Sequence, residues 1–132
     1  MDNRSHQASL RGQLFTSLVA KRGAKLLPGY YGGDFNGDQL AIVEHGDVLI
    51  LFLGLKMIEP DGGVQLDNAS LGAHTQLSAS WFKILVASLG LNGETAVLGE
   101  KIVAAINSKK LVAIVVSMNA ETQEVRMFKV DV

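Results

Sequence analysis

The sequence predicts an α+β domain: five strands in a small barrel or strongly curved antiparallel sheet, an N-terminal helix, and a helix between strands 3 and 4. Three observations predict it. Leu77, Trp81, Ile84, Leu85 and Leu89 form a stripe at helical spacing in "TQLSASWFKILVASLG". "VLILFLGL" (residues 48–55) and "LVAIVV" (111–116) are apolar runs of strand length. Clusters of turn residues, "HGD", "EPDGG" and "NAET", separate the apolar segments at hairpin distances.

Taken in order, Leu10, Leu14, Leu18 and Val19 give a first amphipathic helix, with Ser9 as its N-cap and Gly23 as its stop. Residues 1–8 are polar and expected to be flexible. "LLPGYYGGDFNGD" has the composition of a loop. "QLAIVE", the turn "HGD" and "VLILFLGLKMI" then make a hairpin. The unbroken apolar run of the second strand predicts cover on both faces and a central place in the sheet. Gly54 within it predicts a bulge or sharp bend. "EPDGG" reads as a second turn and "VQLDN" as a short third strand. After the tryptophan-bearing helix, which Gly90 ends, "GEKIVAAIN" adds a short helix with Ile102, Val103 and Ile106 on one side. "KLVAIVVSM" and "QEVRMFKVDV" close the chain as a hairpin, the latter half exposed. Three strands, a helix and two strands is the order of an OB-fold, a five-stranded barrel that often binds oligonucleotides. A helix-backed open sheet of the roadblock or profilin kind fits the same order.

The 132 residues show no internal repeat and predict one domain spanning 1–132, long enough to fold around its own core. There is no cysteine, so disulfides, thiolate metal sites and cysteine nucleophiles are excluded, and a reducing cytoplasm is the expected location. The longest apolar run is far short of the ~20 residues that a membrane helix needs, so no membrane partner is expected. Net charge is −1. It is uneven: residues 1–29 carry +4, residues 30–75 carry −6 and residues 76–132 carry +1. Nucleic-acid binding would therefore depend on a local basic patch.

Metal and catalytic signals are thin. Asp34, Asn36 and Asp38 alternate like the first ligands of a calcium loop, but Gln39 stands where the loop glycine belongs and His45 where the bidentate glutamate belongs. His6, His45 and His74 have no short ligand spacing, so no metal or other cofactor is expected. Neither a G-x-S-x-G elbow nor a phosphate loop occurs. Lys21, Arg22 and Lys25 lie shortly before Tyr30, Tyr31 and Phe35, and Lys109, Lys110, Arg126 and Lys129 accompany the last two strands. Single-stranded nucleic acid needs this mixture of cations for phosphates and ring faces for bases.

Residues 78–130, "SASWFKILVASLGLNGETAVLGEKIVAAINSKKLVAIVVSMNAETQEVRMFKV", resemble the C-terminal half of small phage-encoded OB-fold single-strand DNA-binding proteins. Those proteins carry a helix ending in Leu-Gly, a variable loop, a glycine-lysine approach to a strand and a closing hairpin. Here "NSKKL" stands at that approach, with Ser108 in place of the glycine, and the resemblance implies a contact role for Lys109 and Lys110. The N-terminal helix and the acidic middle have no counterpart in the pattern.

The sequence thus predicts a non-enzymatic protein that binds single-stranded nucleic acid weakly and without sequence preference, through Lys109, Lys110, Arg126, Lys129, Tyr30 and Tyr31. A self-associating module, or homo-oligomer, is the alternative. An enzyme with a small pocket near Asp34, Asp38, His45 and Asp47 comes third.

Overall fold

The computed structural model describes residues 3–28, 31, 38–58, 66, 75–119 and 121–130. Eight elements occur in the order α1 (Asn3–Ala20), β1 (Lys25–Leu26), β2 (Gln39–His45), β3 (Val48–Met57), α2 (Ala79–Leu89), α3 (Gly93–Asn107), β4 (Leu111–Met118) and β5 (Val125–Val130). The α+β class is as expected. The strands form one open sheet, ordered β1-β2-β3-β4-β5. β3 and β4 lie side by side at its centre, and they are parallel, from Leu49 opposite Leu111 to Met57 opposite Met118. All other pairs are antiparallel.

The sheet is mixed and does not close into a barrel, and burial gives the reason. Side chains of a strand alternate between faces. Leu49, Leu51 and Leu53 of β3, with Leu111, Ala113 and Val115 of β4, join the core beneath α2 and α3. Phe52 and Leu55, with Ala41 and Val116, join a second core around Phe15 and Val19 of α1. Both faces therefore need a helical cover, which an open sheet between two helical layers supplies. The parallel β3–β4 pair follows, because a chain that must return to the same end of the sheet needs a long crossover, here built from α2 and α3.

Several local expectations shift. α1 begins at Asn3, so Ser9 lies inside the helix and not at its cap. Gly23 does end it, at φ 73°. β1, which the sequence pattern does not anticipate, overlaps the start of the expected loop: Lys25 and Leu26 pair with Ile42 and Ala41. α3 starts at Gly93, earlier than the short helix expected, because Asn92 caps it by accepting from the Glu94 amide at 2.9 Å. The crossover thus holds two helices. The strand expected at 64–68 and the "EPDGG" turn lie outside the described residues, Leu66 apart, which packs on the α2–α3 core. The irregularity expected at Gly54 is present as a register shift between Leu53 and Lys56.

Candidate ligand groove

α2 and α3 form a helical hairpin over one face of the sheet. Ser78 caps α2, its hydroxyl accepting from the Trp81 amide. Trp81, Phe82, Leu85 and Leu89 face inward, with the Phe82 ring edge-on to Trp81 at 5.2 Å. Near the hairpin turn the helices touch closely. The Thr95 hydroxyl donates to the Leu89 carbonyl at 2.6 Å, and a Cβ on Gly99 would lie 3.5 Å from the Leu89 Cβ.

At the other end of the hairpin, where α2 starts and α3 finishes, a groove of about 900 Å³ opens. Phe82 and Val86 of α2 form one wall, Val103 and Ile106 of α3 the other, and Leu77 and Leu111 lie at its base. Val103 and Ile106 remain 38% and 39% exposed. Two lysines stand among the lining residues, Lys83 on α2 and Lys109 just past α3, and no carboxylate does. Neither lysine has an ion-pair partner among the described residues, whereas Lys56, Lys101 and Lys110 pair with Asp38, Glu44 and Asp47.

Two lining residues have left-handed backbones, Leu77 at φ 67° and Lys109 at φ 59°. That conformation is rare for residues other than glycine, asparagine and aspartate. At Lys109 the surrounding hydrogen bonds impose it. The amides of Ser108, Lys109 and Lys110 donate to the carbonyls of Ala104, Ile106 and Ala105, which ends α3 and turns the chain into β4. Three carbonyls of the last turn of α3, those of Ala104, Ala105 and Ile106, are thereby satisfied.

The residues expected to contact nucleic acid are dispersed. Lys109 is at the groove. Lys110 holds Asp47 of the β2–β3 turn at 2.9 Å, and this hydrogen bond, then the lysine's charge, keep the Asp47 carboxyl below the usual carboxylate range. Arg126 opposes Ser117 and Lys129 opposes Ile114. Three positions apart on one strand, they point to opposite faces of β5. Tyr31 is buried in the α2–α3 core, its hydroxyl donating to the Pro28 carbonyl, and desolvation raises its pKa. Tyr30, Phe35 and His74, and the His6 side chain, lie outside the described residues. Lys25 sits on edge strand β1 and the β5 cations on the opposite edge, about 19 Å away at ordinary strand spacing, so these basic groups form no common stripe.

Of the calcium-like triad, Asp34 and Asn36 lie outside the described residues. Asp38 is buried, pairs with Lys56 at 2.5 Å and accepts from the Gln76 amide at 3.0 Å. Asp47 pairs with Lys110, and His45 is an exposed strand end. Among the described residues no group of three His, Cys, Asp or Glu is placed to hold a metal ion, and no helix is long and apolar enough to cross a membrane.

Lys83 and the groove were missed in the sequence because Val103 and Ile106 read as part of α3's buried side. The signal was an excess. With Leu98, Ile102 and Ala105 already buried, α3 has more apolar residues than its inner face uses. The chain matches no family model, no curated protein and no solved structure.

Proposed function

We propose that this domain is a non-enzymatic binding protein that takes an apolar ligand of small-molecule size into the α2–α3 groove. The observation that carries it is the groove itself: about 900 Å³ of open space walled by Phe82, Val86, Val103 and Ile106 on two packed helices. Small-molecule sites are commonly concave, mostly apolar, largely preformed and of roughly 300–1,000 Å³. The Thr95–Leu89 hydrogen bond favours a preformed site, because it ties the two helices together at one end of the hairpin.

Titration with a neutral, environment-sensitive apolar dye tests this. Saturable binding is expected, and Phe82, which lines the groove and touches Trp81, should pass a change to the fluorescence of the single tryptophan. Filling the groove with Val103→Trp, or making it polar with Ile106→Asn, should remove the binding while leaving the melting temperature nearly unchanged, since both positions are exposed. Absence of saturable dye binding to the unmodified chain would rule the reading out.

Self-association is a second reading, favoured by Leu91 and Val97, which are 89% and 54% exposed near the hairpin turn and outside the groove. Sedimentation velocity should then show an oligomer that Val97→Lys dissociates. A monomer at high concentration removes it. Single-stranded nucleic acid has the least geometric support, because Arg126 and Lys129 point to opposite faces and Lys110 is already paired. Fluorescence anisotropy of a labelled oligonucleotide at two salt concentrations measures it directly.

A further inference from the structure

We propose that the groove selects anionic amphiphiles: a single apolar tail against Phe82, Val86, Val103 and Ile106, and a carboxylate or similar head between Lys83 and Lys109. The inference rests on the binding reading above and adds the charge of the ligand to it.

Charge and placement carry it. A neutral hydrocarbon ligand would be served by apolar walls alone. This groove has one lysine from each side, Lys83 from α2 and Lys109 from the end of α3, and no acidic residue among its lining groups. Three lysines outside the groove are neutralised, Lys56 by Asp38, Lys101 by Glu44 and Lys110 by Asp47, while Lys21, Lys25 and Lys129, like the two groove lysines, have no ion pair among the described residues. Lys109 and Lys110 are adjacent, yet among the described residues only Lys110 has a carboxylate partner. Lys109 is the member of the pair on the groove, and it holds a left-handed backbone that a glycine or asparagine would adopt at less cost. Two lysines that line one opening with no carboxylate beside them give it a charge that favours an anion. The volume is that of a small-molecule site, and the proposed occupant is therefore a dissolved amphiphile monomer.

Competition against the neutral dye separates the two levels of the argument. Decanoate, decanol and decyltrimethylammonium share a tail and differ in head charge. All three should be used below their micelle concentrations. Decanoate is expected to displace the dye roughly five- to tenfold better than decanol, with the ammonium compound weakest, an advantage limited because both lysines are solvent-accessible. The double variant Lys83→Gln/Lys109→Gln should retain saturable dye binding but lose the preference for decanoate over decanol. Added salt should shrink the preference in the unmodified protein and leave the dye alone. Equal displacement by decanoate and decanol, or a preference that survives the double variant, would overturn the inference while dye binding still upheld the groove. Failure of dye and decanoate alike, by titration calorimetry as well as fluorescence, would remove both. Sedimentation with anionic vesicles is the remaining arm: lysine-dependent binding to vesicles without binding of monomeric decanoate would assign the cations to a membrane surface and overturn the proposal.

Discussion

Gly54 illustrates how a single position is determined by its neighbours. A Cβ there would lie 2.7 Å from the Phe15 ring and 2.9 Å from the Val116 carbonyl oxygen. The missing side chain is what lets α1 lie against the sheet. Gly54→Ala should lower stability by about 1–3 kcal/mol, the usual range for overpacking a filled core, as read from urea denaturation. Adding Phe15→Leu should recover part of that loss, so the two changes should not be additive. A residue on the surface behaves differently. Asp47 is fully exposed, and Lys110 depresses its pKa. Its pairing favours the folded state above the carboxylate's unfolded pKa, and that contribution disappears as pH falls through the lower folded value. Lys110→Gln should raise the Asp47 pKa in an NMR titration while barely moving the midpoint of urea denaturation.

Among the elements, the best anticipated were those with strong periodicity and a clear stop. α2 falls inside its expected segment because the Leu85 and Leu89 stripe, the Ser78 cap and Gly90 all agree. The β2–β3 hairpin is equally legible, since Gly46 at φ 64° supplies the left-handed turn residue. β1 was not legible, because two residues have no periodicity and pair only through contact with β2. α3 was half legible. "GETAVLGE" looks unpromising, with two glycines, until Asn92 is seen to cap the helix and Leu98 and Ile102 to be buried beneath it. Asn92→Ala should therefore cost about 1 kcal/mol, measurable as a lower midpoint in thermal denaturation followed by circular dichroism at helical wavelengths. Of the groove, the Lys109 position was foreseen for a different ligand. Its α2 wall was not, because Lys83 reads as an ordinary outward residue of an amphipathic helix.

For the molecule as a whole, one sheet separates two cores, the larger under α2 and α3 and the smaller under α1. Because β3 and β4 contribute to both, the cores should unfold together. Phe15→Ala on the α1 side should lower the midpoint seen by Trp81 fluorescence on the far side and the midpoint seen by far-UV circular dichroism by the same amount, about 3–5 kcal/mol in free energy. Separate transitions would show the layers to be independent. The buried Asp38–Lys56 pair joins the segment entering β2 to the far end of β3. Removing one partner, as in Asp38→Ala, should cost about 3–5 kcal/mol because it strands a buried charge, whereas an apolar replacement of both should cost much less.

Local chemistry was enough to mark the apolar strands, the tryptophan helix, the β2–β3 turn and the α+β class, because periodicity and turn residues act over a few neighbours. It was also enough to predict that "VLILFLGL" is covered on both faces, a property better met by a layered open sheet than by a small barrel. The parallel pairing of β3 with β4, the layer that each helix covers and the placing of Lys83 and Lys109 on one groove depend on residues far apart in the chain. Those contacts exist only once the crossover has returned to the sheet, so no short stretch of sequence could contain them.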